Sequence, residues 1–186
     1  DEVDKLVEEI KKIIEDVRRE SDKTVRDNEE LTKKLAEDSK RSLDEIKKLI
    51  EELRKEIERI KDKETLDRVL REATKRLKDL VDENERLLRD AKRKSDESVK
   101  RNEEVLRRVR KEIDDLVREL RERAKTSEEV ERKLKKLKEE LERLVEESRR
   151  KLEELKKRNE ELVRRSREEL DKLRREVKET LERVKR

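Results

Sequence analysis

Uncharged side chains recur through this chain in steps of 3, 4, 3, 4 and 4 residues, after which the series starts again. From Val3 it passes Leu6, Ile10, Ile13 and Val17 to Ser21, then Thr24, Asn28, Leu31 and Leu35 to Ser39. It continues through Ser42, Ile46, Leu49 and Leu53 to Ile57 and Ile60. Each round covers 18 residues in five turns, which is the natural 3.6-residue pitch of the α-helix. A 3.5-residue period would force a left-handed supercoil and an 11-residue repeat a right-handed one. A stripe at the helix's own pitch predicts long helices that run nearly straight.

The same period returns twice. One series runs from Leu66 through Asn84 and Asn102 to Leu120. The other runs from Val130 through Ser148 and Ser166 and closes on Leu173, Val177, Leu181 and Val184. The chain contains no Gly or Pro to mark a break, so one continuous helix is a fair alternative. The phase of the stripe argues against it: at about 100° per residue, the mean direction jumps by roughly 140° between the first two series. A second jump, of some tens of degrees, falls near residue 125.

Turn chemistry sits at both jumps. Asp62 or Thr65 can cap one helix, and Thr126-x-x-Glu129 reads as a capping box for the next. Acidic starts (Asp1-Glu2, Glu128-Glu129) and basic ends (Arg123, Lys185-Arg186) suit the helix dipoles. The reading is three helices, about 2–61, 65–123 and 128–185, joined by two short turns.

Short turns make successive helices antiparallel neighbours. The expected fold is all-α: a single-chain, antiparallel, up-down-up three-helix bundle that takes up residues 1–186 as one elongated domain. Helices of this length would span roughly 90 Å. Further apolar residues, among them Val7, Ile14, Val25, Ile50, Val81, Val99, Val117 and Val163, widen the stripe on one flank. A helix that touches two neighbours needs that wider face.

All four Asn and seven of the eight Ser share the stripe with the Leu, Ile and Val, while the outward positions are almost entirely Asp, Glu, Lys and Arg. The inward polar set is Ser21, Thr24, Asn28, Ser39, Ser42, Asn84, Ser95, Ser98, Asn102, Ser148, Asn159 and Ser166. Folding the chain at its two turns puts Thr24, Asn102 and Ser148 at one level and Ser42, Asn84 and Ser166 at another. Asn28 falls beside Ser98, and Ser95 about one turn from Asn159. A buried polar group without a partner costs about 1–3 kcal/mol, so these levels are expected to form hydrogen-bond networks between helices. Sliding one helix by a turn would set Asn102 against Leu and leave its amide unpaired. Polar layers of this kind trade stability for a single alignment.

Composition excludes most chemistry. Without His, Cys, Met, Trp, Tyr, Phe, Gly or Pro, the chain lacks the common nucleophile–base pairs, soft metal ligands, base-stacking platforms and Gly-rich phosphate loops. Charged residues make up 62%, yet 60 basic against 56 acidic side chains leave a net charge of only +4. No catalytic residue, cofactor, metal ligand, nucleic-acid partner or membrane partner is expected. No uncharged run approaches the roughly 20 residues of a membrane span, and no signal-peptide pattern opens the chain. A small polar pocket or ion path within the layers is the weaker reading, since Ser, Thr and Asn are weak neutral ligands. Carboxylate neighbours such as Asp114-Asp115 read as solvated surface.

The 18-residue stripe, the polar layers, the wholly charged surface and the missing aromatics together resemble de novo designed parametric helical bundles with built-in hydrogen-bond networks. The resemblance covers the whole chain; turns without Gly and a core without Phe or Met depart from the common pattern. It implies high thermal stability and use as a scaffold or building block, with no native substrate. The narrow stripe argues for a soluble monomer, no enzyme activity is expected, and no targeting signal fixes a location beyond recombinant production in the cytoplasm. The alternative is an interaction module whose helices pack between chains as a homo-oligomer, the polar layers then choosing partners.

Overall fold

A computed structural model describes residues 2–123 and 127–185. The chain forms three α-helices, α1 (Glu2–Arg59), α2 (Lys63–Arg123) and α3 (Glu128–Lys185), with no strand among the described residues. This is an all-α three-helix bundle. Long runs of good helix formers with no interior Gly or Pro propagate each helix, and packing of the striped face holds it in place.

The first turn falls two residues earlier than the periodicity suggests. α1 ends at Arg59 rather than near 61, and α2 begins at Lys63 rather than at 65. The reason is the cap. Asp62 occupies the N-cap: its carboxylate accepts the Thr65 backbone N–H at 3.4 Å and the Thr65 hydroxyl at 2.8 Å, while its carbonyl accepts the Leu66 N–H at 3.0 Å. Thr65 is therefore the third helical residue and Asp62 the cap. At the second turn, Ser127 caps α3, its hydroxyl accepting the Val130 N–H at 3.3 Å. Thr126, the cap in the box read from sequence, lies outside the described residues.

The Asp62 cap predicts a pH response. The Thr65 hydroxyl, then the Thr65 N–H, hold the Asp62 carboxyl below the usual carboxylate range. A depressed folded pKa means the cap's contribution is present above the unfolded pKa and is lost as pH falls through the lowered folded value. Carboxyl ¹³C titration should place the Asp62 midpoint below that of Asp in an unfolded peptide, and Thr65→Ala should return it toward the ordinary value. An unchanged midpoint in that variant would contradict the assignment.

The helices contribute to two compact units. The first comprises Asp1–Glu30 and Ser95–Lys156. In it Val7, Ile10 and Ile14 of α1 pack with Ile113, Val117 and Leu120 of α2 and Leu134, Leu137 and Leu141 of α3. The start of α1 thus meets the end of α2 and the start of α3, so α2 runs antiparallel to both. Two smaller clusters, Val17–Leu106–Leu144 and Val25–Leu152–Leu155, continue this core. The second unit comprises Leu31–Lys94 and Lys157–Arg186. Leu43, Ile46, Ile50 and Leu53 pack there with Leu77, Leu170 and Leu173, and Leu35 packs with Leu88, Ala91 and Val163. Full burial of such a side chain contributes about 1.5–3 kcal/mol.

The centre of the core is displaced from the centre of the stripe. In five adjoining pairs on α1 the second residue is the more buried, Val7 over Leu6, Ile14 over Ile13, Val25 over Thr24, Leu43 over Ser42 and Ile50 over Leu49, while Leu35 over Ala36 is the reverse. The positions read as a widening flank are core in α1. No large hydrophobic side chain is exposed among the described residues, and none of their helices is long and apolar enough to cross a membrane.

Ion pairs line the seams within each unit. Arg18 pairs with Glu140 at 3.0 Å, Arg110 with Glu142 at 2.7 Å and Arg121 with Glu131 at 3.1 Å in the first. Lys47 pairs with Glu169, and Arg174 with Glu85, in the second. Their side chains are well exposed, so solvent screens them and they bias neighbour choice more than stability.

Candidate functional site

The buried polar side chains are the features of this molecule with chemistry to organise. In the first unit, Asn102 uses both ends of its carboxamide. Its Oδ1 accepts from the Ser21 hydroxyl at 3.5 Å and its Nδ2 donates to Ser148 Oγ at 3.1 Å. One side chain on α2 thereby joins α1 and α3 at a single level. Asn28 lies further along the same seam and donates from Nδ2 to Ser98 Oγ at 3.0 Å.

Thr24, expected at the Asn102 level, does not join it. Its hydroxyl donates to its own helix, to the Glu20 carbonyl at 2.9 Å, and the residue is half-buried. The displaced core explains this. Val25 takes the inward place, Thr24 turns toward the rim, and Ser21, on the centre line of α1, faces Asn102. A Thr on a helix has the carbonyl four residues back always within reach, so it loses no partner by leaving the layer.

The same shift operates in the second unit. Ser39, not Ser42, meets Ser166, with the two hydroxyl oxygens 2.7 Å apart. Ser39, Asn84 and Ser166 stand 18 residues along their helices from Ser21, Asn102 and Ser148 respectively, in the direction of one translation of the repeat. The two layers are nevertheless wired differently. The serines of the second bond to each other, and both Asn84 carboxamide atoms lack a hydrogen-bond partner although the residue is 0% exposed. Ser42 Oγ and both carboxamide atoms of Asn159 are likewise unpaired in this unit, as is Ser95 Oγ in the first.

Thr180 is a buried polar residue that the sequence reading passed over. It is 7% exposed, donates to the Glu176 carbonyl at 2.8 Å and accepts from Arg54 Nε at 3.4 Å. The signal was available, because strict continuation of the 18-residue repeat on α3 falls on Thr180, whereas the series above steps to Leu181, which is only half-buried.

None of these residues is ionisable, and none of the shifted carboxylates is buried. Glu161, held below its usual range by hydrogen bonds from Arg164, is a partly exposed surface acid. Among the described residues no group of three or more acidic, His or Cys side chains is placed to hold a metal ion. A half-open groove of about 270 Å³ beside Asn102 has an apolar floor including Val99, Leu106, Val145 and Leu152, with Arg107, Arg149 and Glu153 on its rim. The Asn102 carboxamide is already engaged on both sides, so it offers little to a ligand there.

No family model matches the chain, and no curated protein matches it. Among solved structures it is similar to a computationally designed three helix bundle. The TM-score is 0.51 at 23% identity, covering 99% of this chain and 86% of that one. At that identity the likeness speaks to the fold.

Proposed function

We propose that this chain is a designed structural scaffold with no catalytic activity, and that its buried Ser and Asn residues fix how its helices align. The observation that carries this reading is the Ser21–Asn102–Ser148 chain of hydrogen bonds. An apolar layer tolerates sliding because one Leu packs against another much as the next does. A carboxamide bonded on both sides tolerates only the level at which both serines are present. Two facts support the scaffold reading: a similar solved structure is itself a computationally designed bundle, and among the described residues no large apolar side chain is exposed to recruit a partner.

The test removes the polar discrimination. With Ser21, Asn102, Ser148, Ser39, Asn84 and Ser166 all replaced by Val or Leu, the protein should remain helical and lose uniqueness. Amide NMR spectra should then show doubled or broadened resonances, where the parent gives one sharp set. A single sharp set in the all-apolar variant, with unchanged interhelix contacts, would overturn the register role. Self-association of the parent at micromolar concentration would favour the interaction-module reading.

A further inference from the structure

We propose that the polar layer of the second unit is a binding site for one ordered internal water molecule, which bridges Asn84 to Ser42. The inference concerns hydration of this layer and stands whether or not the layer fixes register. Ser42 and Asn84 lie at one level of the unit. Below them Leu35 packs against Leu88 and Ala91; above them Ile46 and Leu49 pack in one cluster with Leu77 and Leu80. Ser39 and Ser166 occupy the same gap between the two apolar clusters, bonded to each other.

Three atoms at this level, Asn84 Oδ1, Asn84 Nδ2 and Ser42 Oγ, are buried with no partner. Two of them are complementary as donor and acceptor yet do not bond to each other, and a single water can bridge such a pair. An internal water needs two to four polar partners, and this level supplies them: the Asn84 carboxamide, the Ser42 hydroxyl and the free lone pairs of the Ser39–Ser166 pair. Room comes from the sequence, because three serines stand at a level whose neighbours carry the larger Leu35, Leu88, Val163, Ile46, Leu77 and Leu170. An apolar gap would stay dry; this one is polar. The first unit supplies the contrast. There the Asn102 carboxamide meets both serines directly, and no bridge is called for.

Water-to-protein cross-relaxation NMR on the full chain tests this, with bulk water as the probe. The Asn84 side-chain amide protons should show a cross-peak to a water molecule resident for longer than nanoseconds, and the Asn102 amide protons should show none. Ser42→Ala removes one partner of the water and should speed solvent exchange of the Asn84 amide protons by about fivefold, the factor expected for one hydrogen bond. No water cross-peak at Asn84, with its carboxamide bonded directly to Ser39 and Ser166, would overturn the proposal. So would unchanged exchange in Ser42→Ala.

Discussion

Ile14→Ala should lower the free energy of unfolding by about 2–5 kcal/mol, while the same truncation one residue earlier, at Ile13, should cost no more than about half as much. The two residues are chemically identical neighbours on α1, and the stripe in the sequence runs through Ile13. The structure reverses their ranks. Ile14 is 2% exposed in the cluster of Val7, Ile10, Ile113, Val117, Leu120 and Leu134, whereas Ile13 is half-buried at its edge. Truncating Ile14 loses transfer free energy and leaves a cavity walled by side chains on three helices, which cannot all collapse into it. Truncating Ile13 opens a notch that solvent can fill. Guanidinium denaturation of the three proteins gives the comparison, and equal losses would place the core on the stripe's centre after all.

Asn102→Leu should cost more than replacing its whole layer. The single change leaves the Ser21 and Ser148 hydroxyls facing a methyl surface, and an orphaned buried group costs about 1–3 kcal/mol. The triple change, Ser21→Val with Asn102→Leu and Ser148→Val, strands nothing and adds buried apolar surface, so it should match or exceed the parent in stability. Asn84→Leu provides the contrast. Its carboxamide has no partner in the chain and the two serines beside it already bond to each other. Removing it strands at most Ser42, so the loss should be smaller than at Asn102. Equal losses at Asn84 and Asn102 would show that the two layers are wired alike. A triple variant less stable than Asn102→Leu would contradict a connected network.

These contrasts mark where the sequence was sufficient and where it was not. Three helices and their antiparallel order follow from the period of the stripe, its two changes of phase and the shortness of the turns. The partner of Asn102 on α1 lies one turn from the expected Thr24, at Ser21, so the level of each polar residue along the helix axis is legible only to within about one turn. Rotation about the axis is not. One residue turns a helix by about 100°, so deciding between Thr24 and Val25, or Ser42 and Leu43, needs the direction of two neighbours at once. The flank of Val7, Ile14, Val25 and Ile50 carried that information, since the core lies on the side where apolar residues were added. Thr180 was missed for a simpler reason: an apolar Leu181 next door took its place in the count. The wiring within a layer was beyond the sequence, because Ser39–Asn84–Ser166 and Ser21–Asn102–Ser148 are the same residue types, each one 18-residue repeat apart on its helix, and differ in which partners bond.

Sedimentation equilibrium decides whether the polar layers close within one chain. Across a hundredfold range of concentration, a single species of 22.8 kDa is expected. A species of twice or three times that mass that persists on dilution would contradict it, and would make Asn102 and its serines contacts between chains.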